Sequence, residues 1–330
     1  MDKNILFEID EMDGIEAQMK YEMYLAEETM RMELRRLDNQ RTMVTEAADI
    51  QILNEAVLEV IKKYLKNVTA SMQKAWDNFK NKIDDTVTQF VIGERNKKYL
   101  ESDFKMKLPD DYQYPEINVW TDINQNCKIG DNLLTTSNYK QMSEYLDSPD
   151  NFLKQYYPNF VEQENGTQMR MIDVFEKRCF SRASEQMVVE RNLIAEYTNF
   201  LRDYRSQVEG IQADIDAINQ VNNNIDQMLQ QLGIREAFVL EADENNKFRS
   251  ADPNDQNKGN NSKDRQIIVN YYKAMTQILT AKMRTCNKVK ANALRIVINF
   301  VRLQGGVTNI KNKVTAAVQR TTNERTPQVK

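Results

Sequence analysis

What most constrains this chain is an unbroken alternation of three- and four-residue apolar steps across residues 194–232. The stripe reads Ile194, Tyr197, Leu201, Tyr204, Val208, Ile211, Ile215, Ile218, Asn222, Ile225, Leu229 and Leu232, and only Asn222 is neither apolar nor tyrosine. Such spacing lays one seam along a helix, roughly 60 Å long at about 1.5 Å per residue. A second seam runs Ile268, Tyr272, Met275, Leu279, Lys282, Cys286, Val289, Ala293, Ile296, Phe300, Leu303, Val307, Ile310, Val314 and Ala317, broken only by Lys282. A long helix can bury such a seam only against another helix. The predicted fold is therefore all-α: an elongated antiparallel bundle of coiled-coil helices carrying a small, irregular, mostly helical insert.

Proline placement divides the chain further. Pro109, Pro115, Pro149 and Pro158 fall in one window, and the flanking stretches are free to be helical. Residues 1–44 read as a methionine-rich N-terminal helix opened by an Asp13–Glu16 capping box. Its stripe is Met12, Ile15, Met19, Met23, Ala26, Met30, Leu34 and Leu37. Residues 45–107 read as a long helix with the stripe Ile50, Leu53, Val57, Ile61, Tyr64, Val68, Met72, Ala75, Phe79 and Ile83. Residues 108–166 are rich in Pro, Asn and aromatics and read as a compact insert at one end of the bundle. Within it, residues 114–123 are a candidate strand. Short helices are expected near 138–147 and 149–157, the second capped by Ser148 with Pro149 at its first position. Residues 167–232 read as one heptad helix and 233–265 as a polar loop, since residues 243–265 hold almost no apolar side chain. Residues 266–330 read as a basic heptad helix capped by Ser262 and kinked at Gly305-Gly306, with a frayed tail.

The residue inventory is poor in chemistry. There is no histidine, which removes the usual general base and the commonest metal ligand. Cys127, Cys179 and Cys286 are far apart and form no metal or redox pair. The run Asp122-Ile-Asn124-Gln-Asn126 begins like a calcium loop. It has Cys127 where glycine is required and Leu133 where the closing glutamate belongs, so an Asx-rich turn is the better account. Nucleotide, hydrolase and metalloprotease motifs are missing. No enzymatic activity, cofactor or metal is expected. No apolar run approaches the ~20 residues of a membrane helix, and no secretory signal is evident. The expectation is a protein made in the cytoplasm.

Charge is unevenly placed. Residues 262–330 hold 14 Lys/Arg and 2 Asp/Glu, a net of +12, whereas the other 261 residues sum to -16. Candidate partner-binding cations on the last helix are Lys263, Arg265, Lys273, Lys282, Arg284, Lys288, Lys290, Arg295 and Arg302. The expected partner is an acidic face of another protein subunit, with nucleic acid second. Met12, Met19, Met23 and Met30 form an adaptable apolar face suited to partners or core. Asn222 sits at an a position and is a candidate for fixing helix register, for lying on the bundle edge, or for bonding a polar group on another helix.

Taken together, the long helices, abundant Asn and Gln, absent His and compact insert at residues 112–157 resemble, in style, virion structural proteins of large tailed bacteriophages. The resemblance is compositional and rests on no diagnostic motif. It implies a particle component of the head interior, neck or tail, in a homo- or hetero-oligomeric assembly. Two other classes are an α-helical secreted effector, of pore-forming or secretion-tip type, and a DNA-associated organiser using the basic helix. The polar character of residues 108–166 weighs against a pore former.

Overall fold

The computed structural model describes residues 47–81, 94–184, 187–231 and 256–324, with individual helical residues between 21 and 37. This region is 74% helical, far above the ~30–35% of an average domain. The long helices are α1 (Ala47–Asn81), α8 (Tyr204–Gln231) and α9 (Gln256–Glu324). Between α1 and α8 lie α2 (Glu94–Leu100), α3 (Ile117–Asn126), α4 (Tyr139–Ser143), α5 (Pro149–Tyr156), α6 (Met171–Cys179) and α7 (Arg191–Arg202). Six short strands are interleaved with them: β1 (Met106–Lys107), β2 (Gln113–Pro115), β3 (Gln163–Glu164), β4 (Thr167–Gln168), β5 (Phe180–Arg182) and β6 (Val188–Val189).

The organising element is α9. Its seam residues from Ile268 to Phe300 are all buried, Lys282 included, but so are Ile267, Val269, Tyr271, Ala274, Ile278, Ala281, Ala291, Leu294 and Val297 on other faces. A helix apolar nearly all round must lie inside the fold, and here α6, α7, α8, α5, α3 and α2 all pack on it. One narrow stripe escapes burial: Lys273, Gln277, Arg284, Lys288, Asn292, Arg295 and Asn299. The helix runs through Gly305-Gly306 without a break, and it begins at Gln256, upstream of Ser262, so the expected cap is not found.

The hairpin expectation holds for α8 and α9. Ascending α8 meets descending α9 through Tyr204 with Cys286, Asp214 with Lys282, and Asn222 with Tyr272, which makes the pair antiparallel. The seam from Ile194 through Ile218 is buried. It is not one helix, however: residues 167–232 divide into β4, α6, β5, β6, α7 and α8. Asp203 separates α7 from α8, and the apolar phase carries across it because Leu201 and Tyr204 still face the core. Helix α1 packs on α8 and buries Tyr64, Val68, Met72 and Ala75, the middle of its predicted stripe. It is described as far as Asn81; residues 82–93 lie outside the described residues, and from residue 94 the helical reading to residue 107 gives way to α2 and β1. The stripe residues Ile50, Leu53, Val57, Ile61, Phe79 and Ile83 fall outside the described side chains, as do Ile225, Leu229 and Leu232 of the next seam.

Residues 108–166 do not stand apart from the helices. Ladders β1–β6 and β2–β5 tie residues 106–115 to 180–189, across the boundary expected at 166. The expected strand is confined to β2; residues 117–126 are helical because Ile117, Trp120 and Ile123 fall three apart and bury one face. That helix also absorbs the Asx run, so Asp122, Asn124 and Asn126 form no turn. Helices α4 and α5 match the two short helices expected, and Ser148 Oγ accepts from Asn151 N as an N-cap with Pro149 behind it. Strands β3 and β4 are joined by Asn165-Gly166, both with positive φ (52° and 77°). An Asn-Gly pair tolerates that conformation, and it matches the strand twist in a two-residue hairpin.

Candidate functional site

Three polar groupings positioned by α9 bear on what the chain can do. The deepest is Lys282, whose side chain is fully buried. Its Nζ donates to Asp214 Oδ2 at 2.6 Å, to Cys127 O at 3.0 Å and to Asn124 O at 3.4 Å. The two carbonyls lie at the C-terminal end of α3, where the helix dipole favours a cation. Asp214 on α8 accepts a second bond on Oδ1, from Ile129 N at 2.8 Å. All three ammonium protons thus have acceptors, the condition a buried charge must meet. Burial pushes the Asp214 carboxyl above its ordinary range, and Lys282 and the Ile129 N–H pull against it. Lys282 therefore locks α3, α8 and α9 together and is not a partner-binding cation. Lys290 is likewise turned inward, 3% exposed, with Nζ 5.5 Å from the centre of the Tyr204 ring.

The second grouping joins α1, α8 and α9. Asn222 Nδ2 donates to Thr69 Oγ1 at 2.8 Å, while the Tyr272 hydroxyl donates to Asn222 Oδ1. Thr69 in turn donates to Leu65 O. Asn222 thus specifies how three helices of one chain align, the alternative in which it bonds polar groups on other helices. Asn222→Leu should destabilise the fold by about 1–3 kcal/mol, because the buried Tyr272 hydroxyl loses its acceptor. Adding Tyr272→Phe should recover most of that loss in urea unfolding. Simple additivity of the two substitutions would show that the bond carries no coupling.

The third grouping is the one that solvent reaches. The exposed stripe of α9 opens into a cleft of about 630 Å³. Lys288, Asn292 and Arg295 line it from α9, Asp173, Glu176 and Lys177 from α6, and Tyr112, Gln113, Phe180 and Arg182 from the β2–β5 region. Glu176 sits between two cations, 2.7 Å from Lys288 Nζ and 3.3 Å from Arg284 Nε. Lys177 pairs with Glu162 at 3.0 Å. Asp173 is held by Arg170 at 2.8 Å, and that bond keeps its carboxyl below the usual range. Arg182 and Arg295 have no carboxylate partner among the described residues. Arg295 lies beside the Tyr112 hydroxyl, whose titration burial pushes up and Arg295 pulls down. The cleft therefore carries four cations against two carboxylates, with Tyr112 and Phe180 supplying apolar surface.

Of the remaining cations, Arg302 is exposed and Lys273 half-buried on the α9 stripe, and the side chains of Lys263 and Arg265 lie outside the described residues. Met30 is buried. Met12, Met19 and Met23, with the Asp13–Glu16 box, lie outside the described residues. Reading the sequence alone missed Arg182, Lys177 and Tyr112, which stand far from α9 in the chain, on segments that no period links to it. Burial pushes the thiols of Cys127, Cys179 and Cys286 up to about 12. They stay protonated and poorly nucleophilic. No helix is long and apolar enough to cross a membrane among the described residues. No known protein family, curated protein or solved structure matches the chain.

Proposed function

We propose that this chain is a non-enzymatic structural subunit of a tailed-bacteriophage virion, in the head interior, neck or tail, working through helix packing and subunit docking. The observation that carries the reading is the use made of α9. Most side chains it presents from Ile267 to Val301 are buried, and Lys288, Asn292 and Arg295 of the remainder open on one cationic cleft. Such an arrangement suits a stiff scaffold that offers a docking surface. The protonated, buried thiols and the structural use of Lys282 fit the same reading.

A DNA organiser would need the positive charge of residues 262–330 turned outward. Lys282 and Lys290 face the core, and Arg284 and Lys288 are paired with Glu176. What the described residues leave open is a short cationic cleft walled by Tyr112 and Phe180, which suits an acidic protein segment better than an extended nucleic-acid backbone. The elongated coiled-coil form and the virion setting rest on the heptad seams and on compositional style.

Mass spectrometry of gradient-purified particles from the source culture tests the proposal. Peptides of this chain should co-band with the major capsid protein at a fixed ratio that survives nuclease and a high-salt wash. Recovery only from the particle-free fraction would sink it.

A further inference from the structure

We infer that the cationic cleft is the socket for the acidic N-terminal segment of a second copy of this chain, residues 8–16. The inference rests on the assembly reading above and deepens it. The cleft presents Arg182 and Arg295, which lack carboxylate partners among the described residues, beside Lys288, with Phe180 and Tyr112 forming apolar walls. A matching ligand carries several carboxylates interleaved with apolar side chains. Residues 8–16 read Glu-Ile-Asp-Glu-Met-Asp-Gly-Ile-Glu: five carboxylates, no cation, and Ile9, Met12 and Ile15 between them. No other nine-residue stretch of the chain holds five carboxylates and no cation.

The donor belongs to another copy because this end of the chain is incomplete alone. Ala26 and Met30 are buried in the core, and Glu33 pairs with Lys63 of α1 at 3.2 Å. Yet Tyr21, Tyr24, Leu25 and Met32 remain 61%, 59%, 43% and 61% exposed. Four large apolar side chains on one short stretch mark a surface that a neighbouring subunit covers. A contact between two different patches of identical chains is heterologous, and it propagates into a ring or a filament.

Sedimentation velocity of the full chain over a concentration series tests this. Two variants are made, Arg182→Glu with Arg295→Glu in the cleft, and Glu8→Lys with Asp10→Lys and Glu11→Lys in the segment. Arg182 is exposed and Arg295 half-buried, and helicity measured in parallel confirms folding. Wild type is expected to oligomerise with rising concentration, and each variant alone to associate at least about tenfold more weakly. Mixing the two variants should restore assembly, since each then offers a complementary segment and socket to the other. Assembly that persists in both variants would overturn the socket while leaving the structural-subunit reading intact. A monomeric wild type whose segment cross-links to its own cleft would overturn the second-copy assignment. If the cleft variant keeps self-association but loses retention of single-stranded DNA, the socket is for phosphates and the inference fails.

Discussion

Replacing Lys282 with methionine is expected to cost about 3–5 kcal/mol of folding stability, although methionine is apolar and similar in length. The substitution removes the cation from Asp214, which is 2% exposed, and leaves the Asn124 and Cys127 carbonyls without their donor. A lone buried carboxylate is destabilised more than the pair is stabilised, so Lys282→Met with Asp214→Leu should be more stable than Lys282→Met alone. The loss should depend on pH with a definite sign. Burial already holds the folded-state titration of Asp214 above its unfolded value, and removing Lys282 raises it further. A group raised in this way favours the fold below its unfolded pKa, and that contribution is lost as pH rises through the folded pKa. The deficit of the single variant should therefore widen from mildly acid to mildly alkaline conditions, by urea unfolding at each. A deficit that does not change with pH would show that Asp214 gains no proton, and the buried-charge account would be wrong.

Lys282 also shows how far the sequence can be read. Its place in an apolar seam was visible, and a charged residue there invites two readings: a tolerated edge or a buried anchor. The period alone cannot choose, because the acceptors come from residues 124, 127 and 214, which no spacing links to it. The seams themselves survived folding as far as Phe300, since burial at three- and four-residue steps is enforced by packing, but Leu303 of the second seam is 52% exposed. What the heptad reading hid was the rest of α9. Ile267-Ile268-Val269, Tyr271-Tyr272 and Ile296-Val297 place apolar groups side by side, and a helix in a two-sided seam has no use for them. They were the signal for a central helix with neighbours all round. The breaks at residues 180–190 and at Asp203 went unseen for a related reason. The apolar phase is continuous across Asp203, and the β2–β5 and β1–β6 ladders are too short for alternation to register. The cleft inherits this limit, because three of its elements meet only in the fold.

Phe152→Ala is expected to cost about 3–5 kcal/mol and to lower the unfolding of the whole described fold, not of one part. Phe152 is fully buried on α5, stacked on Tyr156 at 4.6 Å and edge-on to Tyr271 of α9 at 5.7 Å. The same face of α9 is held by Asn270, whose Nδ2 donates to Leu146 O and Asp147 O, both at 2.9 Å. Tyr271 in turn donates to Asn132 O and accepts from Leu134 N. A small insert at the end of a bundle would have its own core, and damage to it would leave the long helices alone. Here the aromatic residues of 108–166 and the apolar side chains of α9 belong to one continuous cluster running from Ala26 to Val301. Truncating Phe152 therefore removes packing from α9 itself. With Trp76 of α1 replaced by phenylalanine, the fluorescence of Trp120 reports on the aromatic-rich segment, and far-ultraviolet dichroism on the long helices. In a single cooperative unit the two transitions coincide, and both should shift together in the variant. If the aromatic signal melts early while the helical transition stays where it is in wild type, residues 108–166 are an independent unit and the central role given to α9 is wrong.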